Sequence, residues 1–124
     1  MTITPIGPHS FGKKPYKIGL PAGNFGGQCL GDISKVGNYP KGVRSYGALD
    51  MAGNVWEWVN DWYSNSYYQT SLTRNPTGPE TGSERVARGG SWLGYDWFVR
   101  SAIRGKVNPD YADIAFGFHS AVSA

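Results

Sequence analysis

Tryptophans at alternate positions give the clearest pattern of hydrophobic residues along the chain. Trp56, Trp58 and Trp62 are separated by even numbers of residues, so an extended backbone places all three rings on one side. The residues between them form a mixed outer face: Val55, Glu57, Val59 and Asp61. The pattern predicts a β-strand whose aromatic side packs into the core. A helix is the second choice, because it would scatter the three rings around its axis.

Turn-forming residues divide the rest of the chain into short segments. Glycine and proline predict irregular structure over residues 1–28, with one short strand at 16–18. The same signals predict surface loops at 36–46 and at 75–83. Further short strands are predicted within 85–92, 98–104 and 115–122. The expected architecture is therefore mostly antiparallel β with long loops, and an all-helical fold is excluded.

The composition fits one domain rich in turns and aromatic rings. The 124 residues include 18 Gly, 8 Pro, 5 Trp, 8 Tyr and 5 Phe. That length allows one modest core and is too short for two ordinary domains. No stretch approaches the roughly 20 apolar residues that cross a bilayer. We therefore expect no contact with a membrane.

Charge and cysteine content exclude further classes of protein. The net charge of +3 comes from 12 Lys and Arg residues that are scattered singly, apart from the pair Lys13 and Lys14. A nucleic-acid-binding protein would gather its basic residues on one face, so we expect no nucleic-acid partner. The single cysteine, Cys29, permits neither an internal disulfide nor a cysteine-based zinc site.

Several separated motifs carry a resemblance to a known family. They are Tyr46–Trp58, Asp61-Trp62-Tyr63, Asn75–Pro79, Arg85–Trp92, Arg100-Ser101-Ala102 with Arg104, and Gly117-Phe118. In order and spacing they resemble the C-terminal half of formylglycine-generating-enzyme (sulfatase-modifying-factor) domains, over about residues 36 to 118. The resemblance implies an α+β fold of the C-type-lectin-like type. It also implies a choice of activities, among them cysteine or serine oxidation, sulfoxide synthesis and non-enzymatic ligand display.

The chain is shorter than the family's full domains, which suggests a truncated form. Residues 16–124 are assigned to a truncated domain of this family, and residues 1–15 to an irregular N-terminal segment. A truncated domain exposes surface that the missing part would cover. Self-association buries such surface, so we expect a homo-oligomer, in the simplest form a homodimer.

The family's aerobic oxidation depends on two cysteines that follow the Gly-Gly-Ser motif and hold copper(I), a soft ion that prefers thiolates. The matching stretch here, residues 91–100, contains no cysteine. Cys29 alone cannot supply two thiolates. We therefore expect no cysteine-dependent oxidase activity.

Calcium is the cofactor that the resemblance implies. In relatives, the segment that matches residues 50–57 binds calcium, and the corresponding ligands are Asp50, the carbonyl of Gly53, the carbonyl of Val55, and Glu57. Calcium takes six to eight oxygen ligands from carboxylates, carbonyls and water. The alternative is structural: Asp50 caps a turn, and Glu57 is solvated or pairs with an arginine such as Arg88.

A second function, a small calcium-dependent hydrolase acting on an ester or lactone, is an alternative by residue type alone. Ser91 would be the nucleophile, His119 the base, and Asp96 or Asp113 the orienting acid. His119 also stands where relatives usually carry arginine, which favours a structural donor. Whether the chain is an enzyme is left open.

Aromatic residues after the Gly-Gly-Ser motif form the candidate ligand surface: Trp92, Tyr95, Trp97 and Phe98. In relatives this segment belongs to the binding surface, and exposed rings there would suit a peptide, a sugar or a small molecule. The alternative is that the rings close the core of a truncated domain. The sequence thus favours a calcium-binding, lectin-fold domain with a binding or structural role.

Overall fold

The computed structural model describes residues 23–26 and 30–120. Four strands lie in this part of the chain: β1 (Trp56–Trp62), β2 (Arg85–Arg88), β3 (Gly105–Val107) and β4 (Phe116–Gly117). They form one sheet in the order β3-β2-β1-β4. Strand β1 confirms the strand predicted from the alternating tryptophans. The short strand expected at 16–18, the boundary near residue 15 and Cys29 lie outside the described residues.

The sheet is mixed rather than purely antiparallel. Strand β2 pairs antiparallel with both β1 and β3. Strand β4 pairs parallel with β1, with Trp56 opposite Phe116 and Glu57 opposite Gly117. The parallel pair follows from a long connection that brings residues near 116 back beside the start of β1.

Three predicted strands are shorter or lie elsewhere. The strand expected over 85–92 ends at Arg88, because Gly89 and Gly90 follow with φ of 89° and 70°, values that break an extended chain. The segment 98–104 is wrong as a strand: a 3₁₀ turn spans Asp96–Val99, and the strand follows at β3. Of the strand expected over 115–122, residues 121 and 122 lie outside the described residues, and within 115–120 the strand is β4.

Helical structure is sparse. The described residues contain a four-residue helix, α1 (Tyr67–Thr70), and 3₁₀ turns at Pro40–Gly42 and Asp96–Val99. The remaining connections are irregular, as predicted for 36–46 and 75–83. In the part of the chain described, no helix is long and apolar enough to span a membrane.

The fully buried part of the molecule is more polar than the sequence predicts. Its apolar members are small: Val86, Ala87, Val107 and Ala115. Its polar members are Asn24, Ser34, Asp50, Asn54, Glu57 and Ser91. The tryptophans of β1 are half-buried instead of forming the innermost layer. Glu57, predicted on the outer face, is the buried residue of the strand, because the segment after β4 lies over that side and brings His119 against its carboxylate.

Asn54 joins three segments that lie far apart in the sequence. Its side-chain Oδ1 accepts hydrogen bonds from the Ser34 backbone N–H (2.8 Å) and hydroxyl (3.1 Å), and its Nδ2 donates to the Ser34 carbonyl. Its backbone N–H donates to the Asn24 carbonyl (2.7 Å), and its carbonyl accepts from the Trp92 N–H (2.9 Å). Asn54 has a φ of 68°, a left-handed conformation that asparagine tolerates better than most residues.

Replacing Asn54 should separate the effect of its amide from that of its backbone. Asn54→Gly keeps the left-handed conformation but leaves buried partners at Ser34 without hydrogen bonds, so we expect a loss of about 2 kcal/mol in unfolding free energy. Asn54→Ala adds backbone strain, and we expect it to cost about 1 kcal/mol more. Urea denaturation of both variants measures the two costs. An alanine variant as stable as the glycine variant would contradict the assigned backbone role.

Candidate functional site

The turn that precedes β1 is built from residues in the left-handed region. Asp50, Gly53 and Asn54 have φ of 56°, 85° and 68°. At Gly53 a Cβ atom would lie 2.5 Å from the Asn24 carbonyl oxygen, so only glycine fits both the conformation and the space. The tight backbone brings the two predicted acidic ligands, one on each side of the turn, towards each other.

Both acidic residues of the predicted calcium site are buried. Asp50 is 9% exposed, and its Oδ2 accepts a hydrogen bond from the Gly37 N–H at 2.8 Å. Glu57 is 7% exposed, and its Oε1 lies 2.8 Å from Nδ1 of His119. The alternative that Glu57 is solvated or pairs with Arg88 is wrong. Arg88 instead donates to the carbonyls of Ser101 (2.6 Å) and Ile103 (3.1 Å).

Burial raises the pKa of Glu57 above its ordinary value. The contact with His119 opposes this rise, and the nearby charge of Asp50 adds to it. The interaction with Asp50 places the two carboxylates within range of each other's charge. A buried pair of like charges costs free energy unless a cation or a proton compensates it.

Backbone carbonyls of the same turn are further candidate ligands for a hard cation. The backbone carbonyl oxygens of Met51 and Val55 approach the Cα of Gly89, where an added Cβ would lie 3.4 Å and 3.9 Å from them. Oxygen ligands from carboxylates and carbonyls are those that calcium prefers. Among the described residues, no group of three or more His, Cys, Asp or Glu side chains gathers as a metal cluster. A cation here would therefore depend on carbonyls for part of its coordination.

The hydrolase arrangement is not assembled in the described part of the chain. Ser91 is 2% exposed, which closes it to a substrate. His119 contacts Glu57, and no hydrogen bond joins it to Ser91. Asp113 accepts from the Tyr111 hydroxyl and from the Ala115 N–H. A nucleophile that lacks both access and a neighbouring base has no activation.

The four predicted ligand-surface residues fall into two groups. Tyr95 and Trp97 are 44% and 47% exposed, and their rings stack with centroids 4.3 Å apart. Trp92 and Phe98 are half-buried. The Phe98 ring packs edge-on against Trp56 at 5.7 Å, and the Trp92 Nε1 is buried without a hydrogen-bond partner. Only the first pair presents aromatic surface to solvent.

A family model now connects this geometry with known proteins. The model, described as a sulfatase-modifying factor enzyme 1-like domain, matches residues 15–124. The chain belongs to this family. The formylglycine-generating enzyme of Streptomyces coelicolor is 45% identical over 90 residues, which are 66% of this chain and 29% of that protein.

Solved structures agree with the family assignment. Treponema denticola variable protein 1 superposes with a TM-score of 0.69 at 31% identity, over 78% of this chain and 34% of that chain. PvdO from Pseudomonas aeruginosa gives 0.68 at 29% identity, over 90% and 42%. The fold is the α+β, C-type-lectin-like fold expected for the family. The chain thus spans less than half the length of each of these three relatives. Their names differ and indicate no single shared activity.

Sequence reasoning missed several residues that shape the site. No pattern in the sequence indicated that the Asn54 amide would be buried against Ser34. The contact between His119 and Glu57 joins β1 to the segment after β4. Such a contact depends on a parallel pairing that no local pattern reveals.

Glu57→Gln should stabilise the protein at pH 7 in the presence of a chelator. The pKa of Glu57 is raised in the folded state. Its carboxyl group therefore contributes stability that is fully present below the unfolded-state pKa near 4.5 and is lost as the pH rises through the folded-state pKa. The amide keeps an acceptor for His119 and carries no charge. Thermal melts from pH 4 to pH 8 should show a gain that grows with pH.

Glu80→Gln is the matched control, since Glu80 is exposed, and it should change the unfolding free energy by less than about 0.5 kcal/mol. A Glu57→Gln variant that is less stable than the parent at pH 7 would contradict the assigned cost of burying the charge. So would a gain that does not vary with pH.

The two groups of aromatic residues should differ in their effect on stability. Phe98→Ala removes a ring that packs against Trp56, and we expect a loss of about 2 kcal/mol or more. Trp97→Ala removes a ring that is nearly half-exposed, and we expect a loss below about 1 kcal/mol. Chemical denaturation measures both. Equal losses would show that Trp97 serves the core rather than the surface.

Proposed function

We propose that this chain is a calcium-binding, lectin-fold domain with a binding or structural role. The observation that carries the proposal is the burial of two carboxylates, Asp50 and Glu57, on either side of one tight turn. Two carboxylates in one buried site favour a divalent cation, which removes the free-energy cost of their charges. His119, which contacts the Glu57 carboxylate, offsets part of this free-energy cost.

The proposed ligands are the carboxylates of Asp50 and Glu57 with the carbonyls of Gly53 and Val55. When bound, calcium would supply positive charge and fix the distance between oxygens that otherwise repel. The chain's own contacts then connect the turn to its surroundings. The Asp50 carboxylate accepts from the Gly37 N–H, and the Gly53 N–H donates to the Gly89 carbonyl at 2.8 Å.

Cysteine-dependent oxidation is not part of the proposal. The sequence holds one cysteine, Cys29, and a copper(I) site of the family's kind needs two thiolates. The residues that follow the Gly-Gly-Ser motif form a 3₁₀ turn with stacked aromatic rings instead. This part of the chain offers surface for contact rather than reactive sulfur.

The stacked pair of Tyr95 and Trp97 supports a binding role. Together with Leu93, which is exposed, the two rings place apolar area on the surface without burying polar groups. Aromatic side chains contribute large contact areas at a small cost in conformational entropy. A peptide or a sugar with an apolar face fits this surface, and so does a small apolar molecule.

Calcium should raise the thermal midpoint of the protein after treatment with a chelator. A ligand that binds only the folded state adds about 2.7 kcal/mol when present at 100 times its Kd. Asp50→Asn and Glu57→Gln should each abolish the calcium-dependent rise, since each removes a charged ligand. Differential scanning calorimetry with and without calcium measures the effect.

Asp110→Asn is the matched control: it removes one exposed carboxylate outside the turn, and the full calcium-dependent rise should remain. An unchanged midpoint in the parent protein would refute the cation site. A rise that survives in both turn variants would place calcium elsewhere on the molecule.

A homodimer is the second part of the proposal. Strand β4 is at one end of the sheet, and apolar side chains lie on both sides of it in the sequence. Ile114 is 67% exposed and Phe118 is 77% exposed. Among the described residues, no strand pairs with the outer edge of β4. A strand edge flanked by apolar residues favours pairing with an identical edge, because one symmetric contact then covers both copies.

Light scattering of the purified chain should give twice the mass of the monomer. Phe118→Ser should shift the molecule towards the monomer, because it removes apolar area from the proposed contact. Leu72→Ser alters a residue of comparable exposure, 71%, outside the β4 edge and should leave the mass unchanged. A monomeric parent protein at about 50 µM would refute the dimer, whose Kd should lie well below that concentration.

A further inference from the structure

Three arginines lie around one surface groove that no part of the proposed function uses. The groove has a volume of about 540 Å³, which is within the usual range for small-molecule sites. Arg44, Arg88 and Arg100 contribute its charge. Its apolar wall consists of Met51, Val99 and Ile103.

Two of the guanidinium groups are held in place by backbone carbonyls. Nη1 of Arg88 donates to Ser101 (2.6 Å) and to Ile103 (3.1 Å), both of which line the groove. Nε of Arg100 donates to the Trp97 carbonyl at 3.2 Å. An arginine has five N–H donors, so each of these side chains keeps donors beyond those used. Preorganised donors lose less entropy when a ligand binds.

The positive charge of the groove is uncompensated within the described residues. None of the described residues that line the groove is acidic. The ion pairs found in this part of the chain join Lys106 to Glu84 and His119 to Glu57, and none includes the three arginines. Even Glu57, which is opposite Arg88 in the strand register, directs its carboxylate to His119. Neighbouring like charges without a counterion attract an anion.

We propose that this groove binds a small molecule with a planar or tetrahedral oxyanion, a carboxylate or a phosphate, attached to an apolar body. The guanidinium fork matches such oxyanions in two-point hydrogen bonds. The wall of Met51, Val99 and Ile103 receives the apolar part. The inference uses none of the proposed calcium ligands, and so it can be tested with calcium removed.

Calorimetric titration in the presence of a chelator, at constant ionic strength, tests the groove with three probes that share a phenyl ring. They are phenylacetate, phenyl phosphate and the neutral phenylacetamide. We expect one or both anions to bind with a Kd of about 1 mM or tighter and the amide to bind at least about tenfold more weakly. Tighter binding of phenylacetate identifies a carboxylate ligand, and tighter binding of phenyl phosphate identifies a phosphate ligand.

Arg44→Gln and Arg100→Gln should each weaken binding of the anion by about five- to tenfold, through loss of one charge-assisted contact. Both residues are exposed, so both variants should fold. Arg74→Gln removes the same charge at an exposed position outside the groove and should leave the affinity unchanged. The proposal is overturned if the amide binds as well as the anions or if no anion binds at about 20 mM. It is also overturned if the two groove variants match Arg74→Gln.

Discussion

The amide of Asn54 is the contact on which the rest of this small structure depends. It fixes the loop at Ser34 by three hydrogen bonds, while its backbone bonds hold Asn24 and Trp92. In a chain whose buried apolar residues are small, directional hydrogen bonds supply specificity that packing alone would not. The left-handed backbone at Asn54 also turns the chain into β1, and so it determines where Glu57 enters the interior.

The buried carboxylates are a consequence of that turn. With Asp50 before it and Glu57 after it, the turn places two negative charges in a site that water reaches poorly. Burying two like charges lowers the folding stability of the protein. A bound cation can recover that free energy. This links the architecture to the proposed function, because the proposed calcium would recover the free energy that the two buried carboxylates cost.

Local sequence patterns predicted the elements whose conformation is set by residues that are close together in the sequence. The alternation of Trp56, Trp58 and Trp62 identified β1, and clustered turn residues identified the loops. The family resemblance supplied the fold, which the comparisons confirm. Local patterns misplaced the strand near residue 100, because Gly105 enters the sheet through its pairing with Ala87 rather than through its own strand propensity.

Features that depend on contacts between residues far apart in the sequence could not be predicted from local sequence patterns. The burial of Glu57 against His119 follows from the parallel pairing of β4, which brings the segment after β4 beside β1. The arginine groove brings together Arg44, Arg88 and Arg100, which are separated in sequence and carry no shared motif. Of the four aromatic residues predicted as a ligand surface, the structure exposes Tyr95 and Trp97.

Terbium luminescence is the most direct test of the proposed hard-cation site at the turn before β1. Terbium takes oxygen ligands as calcium does, and its emission is excited by energy transfer from nearby indoles such as those of Trp56 and Trp58, which flank Glu57. We expect sensitised emission that calcium suppresses by displacing terbium and that Glu57→Gln removes. Emission that is absent, or that is equally strong in Glu57→Gln and insensitive to calcium, would contradict the proposed site.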